Sequence, residues 1–319
     1  MIEVNKDIEL IQVLLYLTKM QEKTFQQITN RNYINSIETF FKGHETHQAV
    51  LLTKDLIENH SFVHITPIIF ILYLKEILAD NYIDIQNLVL ERNISYEKLK
   101  SWANAVNHFI VEASFKTFFK EQYNYYKETI VMIESWDYDI EIQRIKKYFR
   151  SRDSPFKLII CPLNGNYGFV LDKPKKNSFY VVRCLPFYDD DGNITWDNNL
   201  FAKGIAHEFA HCYVNPVVEV NKDLLKSYKP FFEKHEKMLE SYNLPYAIIN
   251  EYWVRAFAIR FMEIYKDYFQ TFNIQEEYTR QRKYFIYIDR FVLALKRYEI
   301  TNETFNDFYL DNISNILSY

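Results

Sequence analysis

Only five of the 319 residues are glycine, and four of those five lie between positions 165 and 204. Glycine supplies the positive-φ positions of tight turns. A chain this poor in it, with eight prolines, is built mainly of long helices and confines its short strands to one segment. Hydrophobic spacing agrees: helical periodicity runs over 7–19, 49–58, 65–79, 96–126 and 137–150, and resumes from Asn199 to the end. Between these blocks, Ser151-Arg152-Asp153-Ser154-Pro155 reads as a turn. Short strands are predicted at 157–162, 167–171 and 179–185, separated by Asn164-Gly165-Asn166 and by the polar run 172–177. Phe179–Cys184 is the candidate edge strand, open to an extended peptide by strand addition; a strand that only covers the helix after it is the equal alternative. The expected class is α+β, mostly α. A helical N-terminal region covers 1–150, and a small twisted sheet followed by helices covers 151–319, the two packed as one unit.

Composition narrows the class of protein. The hydrophobic share of 48% and charged share of 25% are ordinary for a soluble globular chain. A net charge of −4 leaves no basic footprint for nucleic acid. Aromatic residues, 18% of the chain, read as a compositional bias. The segment Met1–Glu9 is acidic and mixed, unlike a secretory leader. The longest apolar patch, Ile65 to Leu74, is too short to span a bilayer. Cys161, Cys184 and Cys212 are odd in number and scattered, which argues against a disulfide framework. A reducing cytoplasm fits these features, with leaderless export as the alternative.

The chemistry concentrates at His207-Glu208-Phe209-Ala210-His211, an H-E-x-x-H string. On a helix, histidines four apart share a face and can hold one Zn²⁺. The glutamate between them can then reach a water on that ion and act as general base. Asn198 or Asn199 is a suitable N-cap, Ile205, Phe209 and Cys212 form an apolar stripe, and Pro216 is expected just past the helix end. Asn215-Pro216 is expected to turn the chain there, without a direct catalytic role for Asn215. Catalytic zinc takes three protein ligands. The residues after His211 offer no Gly or third His at the metzincin spacing, so the third ligand comes from a later element. Glu251 is the leading candidate, on a helix whose Trp253, Val254, Phe257, Phe261 and Ile264 form a wide apolar face. Arg255, four residues on, would orient and neutralise it; a solvent-facing Glu251–Arg255 ion pair is the alternative. His235, in the charged run 234–237, reads as part of a solvated face and ranks below Glu251.

Together, His207-Glu208-Phe209-Ala210-His211-x-x-Val214-Asn215-Pro216 and Glu251-x-x-Val254-Arg255-Ala256 resemble the gluzincin class of zinc metallopeptidases. More narrowly they are similar to a bacterial family of uncharacterised gluzincin-like proteins, and the order of helical region, β element and zinc helix extends that likeness over most of the chain. The resemblance implies a zincin-like domain over 151–319 and one Zn²⁺ per chain held by His207, His211 and Glu251, with Glu208 as base and a peptide or protein as substrate. Gluzincins usually add a Tyr or His that stabilises the oxyanion. Tyr213 and Tyr252, beside the motifs, and Tyr284 and Tyr287, further on, are the candidates here, each against the alternative of a packed or surface tyrosine.

Other signals are weaker. Asp189-Asp190-Asp191-Gly192-Asn193 lacks the alternation of a calcium loop and reads as a polar turn. His44-x-x-His47 lacks a completing ligand, and His108 reads as a packed helix histidine. A zinc-dependent peptidase or amidase is the leading function. A partner-binding protein on the same scaffold, with zinc structural or absent, is the alternative, and hydrolysis of a non-peptide amide or ester is a third.

Overall fold

The structure, a computed structural model, describes all residues except 1, 25, 27–29, 136–137, 151–155, 164–167, 172–178, 185–197, 236–237, 239–243 and 319. The turns expected at 151–155, 164–166 and 172–177 and the acidic turn 189–193 lie outside the described residues. The chain divides into two compact units, one of Met1–Ser135 with Pro155–Trp196, the other of Trp136–Ser154 with Asp197–Tyr319. Among the described residues it is mostly helical with one small sheet, as the glycine distribution implies.

The first unit holds helices α1 (Lys6–Leu17), α2 (Arg31–Phe40), α3 (Gln48–His60), α4 (Thr66–Leu72), α5 (Leu74–Leu78), α6 (Tyr96–Glu112), α7 (Phe115–Glu121) and α8 (Tyr123–Glu134). Their N-caps follow the residue chemistry. Asn5 accepts from the backbone N–H groups of Asp7 and Ile8, Asn30 from Tyr33 and Ser95 from Lys98. The expected helix over 96–126 is broken because Ser114 adopts a left-handed φ of 51°, which ends α6 and starts α7. The expected 65–79 helix is likewise interrupted at Tyr73. A core of buried Ile11, Leu14, Phe41, Trp102, Phe109 and Phe118 joins these helices to the inner face of the sheet at Ile159 and Cys161.

The sheet has four strands, β1 (Ile2–Glu3), β2 (Phe156–Cys161), β3 (Gly168–Leu171) and β4 (Phe179–Cys184), in the order β1-β2-β4-β3. β2 pairs in parallel with β1 and β4, and β3 runs antiparallel to β4. The three expected strands form within a residue or two of their expected bounds, but the expected edge is corrected. Phe179–Cys184 is an interior strand, hydrogen-bonded on one side to β2 and on the other to β3. The edges are β1 and β3.

The second unit contains α9 (Tyr138–Tyr148), α10 (Asn198–Val220), α11 (Pro245–Ile264), α12 (Ile274–Arg282), α13 (Ile288–Glu299) and α14 (Phe305–Leu317). α10 and α11 pack side by side, and α11 also packs on α13. Small buried residues, Ala206 and Ala210 on α10 and Ala256 and Ala258 on α11, suit a close approach of helices. Pro216 does not end α10; it lies inside the helix, which continues to Val220. Pro216 removes one N–H from the ladder, but it sits on the exposed side while Val214 and Val218 are buried on the other. Packing of those valines outweighs the lost bond, and Asn221 Nδ2 donates to the Val217 carbonyl at 2.8 Å near the helix end. Among the described residues no helix is long and apolar enough to cross a membrane.

Candidate metal centre

α10 begins at Asn198 and carries His207 and His211 one turn apart. Their Nε2 atoms stand 3.3 Å from each other. The Glu251 carboxylate from α11 faces both, with Oε1 3.6 Å from His211 Nε2 and Oε2 3.9 Å from His207 Nε2. Donors held about 2.0–2.2 Å from a tetrahedral ion stand about 3.3–3.6 Å apart, so the three side chains lie close to the spacing one small cation requires. All three are partly buried, with 12–17% of each side chain exposed. This is far from the solvent-facing pair that was the alternative for Glu251 and Arg255.

The surroundings suit a cation. Asn215 Oδ1 lies 2.9 Å from His211 Nδ1. An amide oxygen there suits the tautomer with the proton on Nδ1, the form in which Nε2 can serve as a metal ligand. Arg255 Nε donates to Glu251 Oε2 at 2.8 Å, balancing the carboxylate's charge and leaving Oε1 toward His211. The guanidinium itself lies over the Phe285 ring, 4.5 Å from its centre.

Glu208 is buried, 5% exposed, and groups with the two histidines, one ligand atom from each lying within 4.8 Å of the others. This gives two ways to complete a three-ligand set, through Glu208 or Glu251. The carboxylate of Glu251 approaches both imidazoles within 3.9 Å and has its own cation. Glu208 follows His207 directly, about 100° around the helix from it and about 60° from His211.

The tyrosines are scattered by comparison. Tyr252 is fully buried. Its hydroxyl sits 2.6 Å from His235 Nε2 and accepts the Tyr287 backbone N–H at 3.3 Å. Tyr213 stacks on Phe149 at 4.7 Å, Tyr287 packs against Phe231 and under Lys234 and Arg290, and Tyr284 is 68% exposed. His235 does not lie on a solvated face. It is 3% exposed, stacks on Phe231 at 4.6 Å and donates from Nδ1 to the Phe231 carbonyl at 2.7 Å. Burial holds its pKa below the ordinary histidine value, so the neutral ring accepts at Nε2 from Tyr252. The charged neighbours in its sequence had concealed a packed residue.

His47 Nδ1 caps α3 by accepting from Ala49 N, and its Nε2 meets Glu112 at 3.0 Å. His108 is not packed; it is exposed beside Glu112. Asn215 is the residue that sequence reasoning assigned to a turn and not to the site. Its signal was present, four positions after His211 on the same helix face, but the expected helix end at Pro216 placed it in a turn.

No curated protein and no solved structure matches the chain. A family model described as a domain of unknown function (DUF4932) matches residues 1–313, and the protein belongs to that family.

Proposed function

We propose that this protein is a zinc-dependent hydrolase of the gluzincin type that cleaves amide bonds in a peptide or protein. The observation that carries the reading is the meeting of His207 Nε2, His211 Nε2 and the Glu251 carboxylate within 3.3–3.9 Å. Two nitrogens and one carboxylate match the donor set of a catalytic zinc that keeps a position open. Bound there, Zn²⁺ supplies Lewis acidity and lowers the pKa of a coordinated water toward ~7.

The protein's own groups do the rest. Asn215 fixes the His211 tautomer, and Arg255 orients Glu251 and offsets its charge. Glu208 takes the proton from the attacking water on its carboxylate and passes it to the leaving amine. Its burial strengthens that exchange by keeping competing water away. Tyr213, Tyr284 and Tyr287 remain the candidates for the oxyanion donor, since the Tyr252 hydroxyl is already engaged by His235 and Tyr287.

The test pairs metal analysis with a peptide-library assay on wild type and Glu208→Gln. The expected result is one zinc in both proteins and a ~10²–10⁴-fold loss of cleavage in the variant. A wild type that carries zinc and cleaves nothing across the library contradicts the hydrolase and favours partner binding on the same scaffold.

A further inference from the structure

Beyond Glu251 and Arg255, the polar contacts of the second unit continue in one direction. Arg255 Nη1 donates to Gln281 Oε1 at 3.3 Å, and Gln281 Nε2 donates to Glu277 Oε1 at 2.8 Å. Glu277 in turn accepts from Lys203 Nζ at 3.2 Å through both oxygens and pairs with Arg280. Lys203 lies on α10, four residues before His207, so it shares the histidine face of that helix. The chain of contacts therefore leaves α11 at Arg255, crosses α12 through Gln281 and Glu277, and returns to α10. Glu277 and Gln281 are 6% and 8% exposed, and one turn of α12 separates them.

We propose that Gln281 and Glu277 are positioning residues for the metal centre, forming with Lys203 a buried polar strut that sets the Glu251 carboxylate against His207 and His211. The proposal rests on the metal reading above. Arg255 is held from two sides, by Gln281 at its Nη1 and by the Phe285 ring against its face. Removing Gln281 takes away the hydrogen bond at Arg255 Nη1, so the guanidinium is positioned less closely, and the Glu251 carboxylate it grips with it. The amide's polarity is required: its oxygen meets Arg255 and its nitrogen meets Glu277. A side chain of similar size without that polarity breaks the strut while filling the same space. Glu277→Gln tests the far end, because it keeps the shape and removes the charge that Lys203 balances.

The experiment measures zinc affinity of the full-length chain, stripped of metal and titrated with Zn²⁺ against a chromophoric chelator. It compares wild type, Gln281→Met, Glu277→Gln, Arg255→Ala and Arg255→Ala/Gln281→Met. Melting temperatures of the zinc-free proteins and the visible spectrum of the Co²⁺ forms are recorded alongside. Both single strut variants are expected to bind zinc several-fold more weakly, less than the ~10–100-fold typical of a lost direct partner of a metal ligand, because they reach Glu251 only through Arg255. Their Co²⁺ spectra should shift, which a loss of stability alone does not cause, while their metal-free melting temperatures fall because each substitution leaves a buried partner unsatisfied. In the Arg255→Ala background, Gln281→Met should cost little more, because the strut acts through that guanidinium. Zinc affinities within twofold of wild type in both strut variants overturn the proposal, as does a full Gln281→Met effect in the absence of Arg255. If wild type binds zinc and His211→Ala abolishes it while the strut variants bind normally, only the strut is wrong. A wild type that takes up no zinc removes the metal reading itself, and the strut with it.

Discussion

Glu9 in the first unit and Glu277 in the second are both buried carboxyls, 1% and 6% exposed, yet their surroundings hold them in opposite states. Glu9 projects from α1 into an apolar core and meets the Tyr33 hydroxyl, which is itself 2.9 Å from the Tyr126 hydroxyl. Burial pushes its pKa up to about 7, and the Tyr33 hydrogen bond recovers only part of the shift. Burial also pushes Glu277 upward, but Lys203, Gln281 and Arg280 outweigh it and hold its pKa below the usual range. The two residues solve the same burial in opposite ways: an apolar core keeps Glu9 neutral, whereas two cations and an amide keep Glu277 charged.

Glu9→Gln gives the largest stability effect. The folded pKa of Glu9 lies above its unfolded value, so its contribution is fully present below about pH 4.3 and is lost as pH rises through about 7. Urea unfolding of wild type should therefore lose up to about 3 kcal/mol across that window, and the variant should lack that slope. Parallel pH profiles for the two proteins would remove Glu9 from the comparison. Glu277 carries the opposite sign: its contribution is present above the unfolded carboxyl pKa and disappears as pH falls through the depressed folded value.

Zinc should sharpen the contrast next. Added at ~100 times its dissociation constant, it should stabilise the binding unit by ~2.7 kcal/mol. Amide exchange should slow in 198–220 and 245–264, with protection of 6–17 and 96–112 unchanged. Equal protection everywhere, or none, would mean the charged arrangement in the second unit is not a metal site.

The smallest effect is expected from Tyr252→Phe. It leaves His235 Nε2 and the Tyr287 N–H without their partner, costing ~1–3 kcal/mol of stability while kcat for peptide cleavage stays within a few-fold of wild type. A large fall in kcat with unchanged stability would make Tyr252 the oxyanion donor instead.

Much of this arrangement was legible in residue order, for identifiable reasons. Histidines at 207 and 211 share a face on any helix; Glu251 and Arg255 have the same four-residue spacing, which alone reads as a surface ion pair and gained weight only from the H-E-x-x-H before it. Strands β2 to β4 showed as short apolar runs between turn signals. The pairing of those strands did not, because β4 reaches β2 across the intervening β3, and nothing local encodes that order. β1 is two residues long, too short to carry a period. Pro216 and His235 misled because local rules favour a helix stop and a solvated face, whereas buried valines and an aromatic stack decided the outcome. Gln281 carries no local mark; only the packing of α12 on α11 brings it to Arg255.

The most direct test is diffraction from zinc-soaked crystals at the zinc absorption edge. The account predicts one strong anomalous peak per chain, about 2.0–2.2 Å from His207 Nε2, His211 Nε2 and a Glu251 carboxylate oxygen. No peak between the two imidazoles, or one whose ligands leave out Glu251, would contradict it.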